Sequence, residues 1–203
     1  MTSESSERSA WLLISVSTAG GPDRLRVHVW RKLRSLGALY LQQSVCLLPA
    51  RPGPVRDVGR LAGRVRHEGG TARVLTMQFG DPAEEHAVIA EFNTARDAEY
   101  AEVLERLPQL RDELAEEQAR GNATYAEVEE SEADLDRFRS WLGKIAARDY
   151  FDAPAGAAAR AAVEQAAAEL AAFETAALRA EAPEVPASGI PTSTATLRVV
   201  DQS

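Results

Sequence analysis

Arg24, Arg31 and Arg34 fall within one short stretch of the chain, and Arg56, Arg60 and Arg64 recur every four residues in another. A guanidinium is a planar cation that grips a phosphate or a smaller oxyanion through two parallel hydrogen bonds. Several on one surface concentrate a polyanion and make its binding sensitive to salt. The chemistry these six residues offer is contact with nucleic-acid phosphates. Chromate or sulfate would suit the same donors. Two plainer roles compete: docking the acidic helices of this chain or of another subunit, and forming a solvated face.

Other residues offer less. His28, His67 and His86 are the only histidines and sit on three different elements, so no metal site is expected. Ser44 lacks a surrounding Gly-x-Ser-x-Gly elbow, which leaves a hydrolytic triad without support. The glycines at 20–21, 53, 59, 63 and 69–70 form neither a P-loop nor a Gly-x-Gly-x-x-Gly fingerprint. Asp97, Glu99 and Tyr100 make one polar cluster, and Arg148, Asp149, Tyr150 and Phe151 make a second. Capping and packing explain both. Trp30 and Trp141 are expected to pack between helix and sheet, because base stacking would require exposure. The lone Cys46 lies in an apolar run and reads as a buried thiol. It excludes an internal disulfide and a cysteine-based zinc site. The chain therefore reads as a non-enzyme without cofactor.

The elements that must position the arginines are legible. Trp11 to Val16 is a short apolar run ended by Gly-Gly-Pro, a buried strand. Asp23 to Leu36 is an amphipathic helix, with Leu25, Val29, Leu33 and Leu36 on one face. Gly37 is placed to end it. Ala38 to Gln43 and Val45 to Pro49 read as strands. Pro54 to Glu68 reads as a second helix, with Val55, Val58, Leu61, Ala62 and Val65 on one side. Thr71 to Phe79 is a final β-rich run. The order β-α-β-β-α-β is the ferredoxin-like plan, which sets both helices on one face of an antiparallel sheet. The helical turn of about 100° per residue puts Arg24, Arg31 and Arg34 opposite the first stripe. Arg56 and Arg60 lie opposite the second, with Arg64 near its edge.

Beyond Gly80 the period is helical throughout. Asp81 is a plausible N-cap with Pro82 in the first turn. One helix is expected to reach Leu107, where Pro108 kinks or restarts it, and a further acidic helix to reach Arg120. Thr124 to Tyr150 and Ala155 to Ala180 are the next two. The fold class is thus α+β: a ferredoxin-like domain followed by three to four long helices. The expected division is a disordered start at 1–9, a basic domain at 10–80, an acidic helical region at 81–182 and a disordered tail at 183–203.

Charge follows that division. Residues 1–80 carry 12 Lys+Arg against 5 Asp+Glu, and residues 81–203 carry 11 against 26. The sequence pI near 5.0 hides this basic half, and the split keeps a polyanion partner plausible. The acidic runs Glu113 to Glu117 and Glu127 to Asp134 read as a solvated helix face. The polar start has no apolar core of a secretory signal, and no apolar stretch is long enough to span a membrane. The expected compartment is the cytoplasm.

The segment LRVHVWRKLRSLGALYLQQSVCLLP, from Leu25 to Pro49, resembles the N-terminal domain of the chromate-resistance regulator ChrB. So do WLLISVSTAGGPD before it and DPAEEHAVIAEFNTARDAEYAEV and FRSWLGKIAARDYFDAP after it. These four motifs appear in order across residues 9–180. The resemblance implies a cytoplasmic bacterial repressor that releases DNA when chromate is present. Full-length members carry a further C-terminal chromate-resistance domain, and this chain is expected to be the N-terminal domain without it. A weaker similarity, through Leu36-Gly37 and Gln42-Gln43-Ser44-Val45, is to the C-terminal domain of PaaX-type repressors and to small ferredoxin-like proteins of CRISPR adaptation. Nuclease-like relatives of that kind carry an Asp at the end of the first strand. Ser15-Val16-Ser17 stands there in this chain, so metal-dependent nuclease activity is not expected.

Together these readings favour a dimeric DNA-binding regulator in chromate or oxidative-stress resistance. Arg24, Arg31, Arg34, Arg56, Arg60 and Arg64 would contact phosphate. The rivals are a protein-interaction factor and an oxyanion-binding accessory factor, neither catalytic. No membrane partner is expected.

Overall fold

The computed structural model describes residues 9–121 and 124–181. The first half runs β1 (Trp11–Ser17), α1 (Asp23–Ser35), β2 (Leu39–Gln42), β3 (Val45–Pro49), α2 (Pro52–His67) and β4 (Thr71–Met77). The second half is helical: α3 (Pro82–Arg120), α4 (Tyr125–Ala146) and α5 (Ala155–Glu181). The protein is α+β, a four-stranded antiparallel sheet with interleaved helices followed by three long helices. Residues 1–8 of the expected disordered start at 1–9, and the whole of the expected tail at 183–203, lie outside the described residues.

The strands are ordered β2-β3-β1-β4, and every pairing is antiparallel. β1 is central, which explains its almost uninterrupted apolar sequence. Alternation sends Leu12, Ile14 and Val16 to one face and Trp11 and Leu13 to the other. On the first face Ile14 pairs with Cys46 and Val74, and Val16 with Ala72. Leu25, Val29 and Leu33 of α1 and Val58, Leu61, Ala62 and Val65 of α2 close the same core. On the second face the Trp11 ring meets Phe79, Phe92 and Phe151, with centroids 5.4, 5.8 and 5.5 Å away. Its indole N–H donates to Glu85 Oε1 at 2.8 Å. The beginning of α3 is thus built into the core of the sheet.

Local chemistry fixes the helix ends. Asp81 accepts from the Ala83 amide at 2.8 Å, and Pro82 occupies the first turn of α3. Thr124 accepts from the Glu127 amide to start α4. Gly37 follows α1 at φ +70°, a left-handed conformation that favours glycine.

Three expectations need correction. Pro108 neither ends nor restarts a helix: α3 runs unbroken through it. The buried row Val103, Leu107, Leu110 and Leu114 crosses the proline and packs on α5, holding the flanking turns in register. Val55 is exposed, and Pro54 takes the buried position in the first turn of α2, which starts two residues earlier than expected. The helix expected to reach Tyr150, α4, stops at Ala146, and residues 147–154 leave it to pack between the sheet and the helices. Among the described residues there are three long helices, within the three to four expected.

In α5 the buried Ala159, Val163, Ala166, Leu170, Phe173 and Ala177 alternate spacings of four and three, the pattern of coiled-coil packing. Arg111 of α3 adds a bidentate bond to Glu169 of α5, at 2.7 and 2.5 Å.

Candidate nucleic-acid interface

α1 and α2 lie side by side, and two polar links join them. Lys32 Nζ donates to Asp57 Oδ2 at 2.8 Å, and Arg64 Nη1 lies 3.1 Å from His28 Nε2. Lower residue numbers on α1 meet higher ones on α2, so the helices are antiparallel. The apolar stripe of each faces the sheet and the opposite face of each meets solvent. Arg24, Arg31 and Arg34 of α1 and Arg56, Arg60 and Arg64 of α2 are all exposed. The structure therefore collects all six on the outer side of one helix pair.

Their surroundings differ. Arg56 Nε and Arg60 Nη1 each lie 3.9 Å from Asp57, too far for a strong bond but close enough to share its charge. The hydrogen bond from Lys32, with the neighbouring Arg56 and Arg60, holds the Asp57 carboxyl below its ordinary range. Arg64 is bound to Glu68 at 2.6 Å, and that bond keeps the Glu68 carboxyl low as well. Arg34 lies over the Trp30 ring, 5.2 Å from its centroid. The two acids neutralise only part of the helix pair, because α1 carries five Lys+Arg and α2 four. The remaining field is positive and faces water.

Trp30 departs from its expected place. It is 48% exposed instead of packed between helix and sheet. It follows the buried Val29 by a rotation of about 100°, which carries it off the apolar stripe. Trp141 is half-buried, stacked on Phe138 and covered by Arg106.

The two polar clusters read separately in the sequence meet in space. Glu99 accepts from Arg96 at 3.1 Å and from Arg148 at 3.1 Å. The Tyr100 hydroxyl donates to Asp149 at 3.0 Å, and Asp149 also accepts from the Ala153 amide. Asp97 accepts from the Ala155 amide at 2.8 Å and so caps α5. The Tyr150 hydroxyl donates to the Leu36 carbonyl at 2.7 Å, and Arg51 donates to the Tyr150 carbonyl. Both clusters thus cap helices and fasten the helical half to the end of α1. Arg96 is buried there, and burial lowers its pKa while Glu99 opposes the shift.

Cys46 is buried at the sheet core, and burial pushes its thiol up to about 12. Ser44 is exposed in the β2–β3 turn. Among the described residues, no group of three or more His, Cys, Asp or Glu is arranged to hold a metal ion. None of the described helices is long and apolar enough to cross a membrane.

Two arginines missed in the sequence are informative. Arg26 is exposed on the side of α1 turned away from α2. Its spacing from Leu25 was signal enough to place it beside the stripe. Arg66 instead donates twice to the Ala72 carbonyl, at 3.2 and 2.8 Å, and serves the fold.

A model of the family described as Protein ChrB, N-terminal, matches residues 26–183. Protein ChrB of Cupriavidus metallidurans is 34% identical over 112 residues, covering 55% of this chain and 34% of that protein. The chain thus aligns with about a third of that relative's length. No solved structure matches.

Proposed function

Because the chain belongs to the ChrB N-terminal family, we propose that it is a DNA-binding transcriptional regulator of chromate resistance that contacts phosphate through α1 and α2. The observation that carries this reading is the exposure of all six arginines on one helix pair. We read the strand order β2-β3-β1-β4 with its two helices as ferredoxin-like, a frame that holds such a helix pair rigidly. Arg24, Arg31, Arg34, Arg56 and Arg60 act as phosphate contacts, and Arg64 joins them at the cost of its bond to Glu68. The protein works in the cytoplasm as a homodimer, since a symmetric regulator matches a palindromic site.

The test is fluorescence anisotropy on the promoter of its own gene across a range of salt, with and without chromate. Binding through phosphates gives a steep fall of affinity with salt. Arg31→Ala with Arg60→Ala lowers the log–log salt slope by about 0.9 per contact removed, while circular dichroism stays unchanged. An unchanged affinity and slope in that variant would reject the helix pair as the DNA surface. Release by chromate supports the regulatory role; indifference to it removes chromate as the effector.

A further inference from the structure

A cleft of about 720 Å³ opens on the side of α1 away from α2, between that helix, the end of β1 and the β2–β3 hairpin. We propose that it binds a small flat aromatic molecule carrying a carboxylate or another single anionic group. The size suits one such molecule, since ligand pockets run from about 300 to 1,000 Å³.

The cleft is built in two zones. Its floor is apolar and drawn from the core: Val16, Val29, Leu33 and Cys46, all buried. Its walls are large apolar side chains left open to water. Val27 is 45%, Trp30 48% and Tyr40 39% exposed. An isolated exposed apolar residue needs no explanation, but three lining one concavity mark a surface that is covered when occupied. Arg34 lies over the Trp30 ring and holds the indole in place, so this wall is already formed. The register shift between Tyr40 and Gln42 breaks the regular pairing of β2 at the sheet edge beside the cleft.

The rim selects charge. Arg26 and Arg31 both line the cleft, and neither has a carboxylate partner among the described residues. Ser17, Thr18, Gln43 and Ser44 complete the rim, and no Asp or Glu belongs to the described lining. A flat ring between Trp30 and Tyr40 would cover the apolar walls, and its anion would meet the two guanidinium groups. A bare tetrahedral oxyanion would use only the rim and leave the floor unmatched.

This site stands on the cleft alone and does not depend on DNA binding. Calorimetric titration of the full chain with 2-naphthoate, 2-naphthamide and chromate tests it. Saturable binding of one naphthoate per chain is expected, with the neutral amide weaker by about tenfold or more and chromate not competing. Arg26→Ala with Arg31→Ala brings naphthoate down to the amide's affinity, and Trp30→Ala weakens both aromatic probes by about tenfold. The proposal is overturned by a lack of saturable naphthoate binding, or by equal affinity for acid and amide, a comparison that needs no variant. Self-association abolished by Trp30→Ala, in place of naphthoate binding, would assign the cleft to a second copy of the chain and equally overturn the proposal.

Discussion

At the scale of single residues, two positions carry more than their side chains suggest. Gly37 has φ +70°, and a Cβ there would stand 2.6 Å from Arg96 Nη1 and 3.0 Å from Arg148 Cβ. Gly37→Ala therefore combines left-handed strain with a collision at the joint between α1 and the helical half. A loss of about 1–3 kcal/mol is expected, read as a lower urea midpoint with an unchanged m-value. Cys46 gives a pH signature. Its thiol rises from an ordinary 9.0 to about 12 because the charged form is excluded from the core. Between those values the unfolded chain releases the proton and the folded chain keeps it. Stability from this group is thus complete below pH 9 and falls as pH rises toward 12, by about 1.4 kcal/mol per unit at most. Urea titrations above about pH 9 should show this slope in the native protein and a shallower one in Cys46→Ala.

At the scale of elements, α3 makes the sharpest case. A proline inside a helix removes one backbone bond and presses on the preceding turn, at a cost of about 3 kcal/mol in isolation. Pro108 is exposed while Leu107 and Leu110 beside it are buried against the bundle, so tertiary packing overrides the local break. Pro108→Ala should raise stability by about 1–3 kcal/mol in thermal unfolding without altering helix content by circular dichroism. The same contrast marks what the sequence could convey. β3 occupies Val45–Pro49 as expected, and α1 and α2 differ from expectation only at their ends, because apolar periodicity and glycine punctuation are local signals. The six arginines were legible for the same reason, since a helical period fixes which side of a helix they take. The course of α3 through Pro108 was not legible, because it depends on α5, some fifty residues further along. The meeting of Glu99 with Arg148 depends likewise on how distant segments come together. The cleft beside Trp30 exists only once α1 is seated against the β2–β3 hairpin.

At the scale of the whole molecule, the charge split becomes an arrangement in space. The basic residues gather on the helix pair over the sheet, and the acidic ones spread along α3 and α4. Glu129, Glu130 and Glu132 of α4 are exposed, and no ion pair holds them among the described residues. If the helix pair binds DNA as proposed, a duplex approaching at random would be repelled by the acidic half and drawn to the basic one, and the acidic helices would orient the encounter without touching DNA. Such an effect acts over about one Debye length, roughly 10 Å at 0.1 M salt, and fades as salt rises. Replacing the three glutamates together with Gln should therefore leave thermal stability nearly unchanged. At low salt it should strengthen binding to unrelated duplex DNA more than binding to the promoter site. The difference should vanish at high salt, where screening removes the repulsion. Equal strengthening of both, or none at either salt, would mean that the acidic half takes no part in DNA selection.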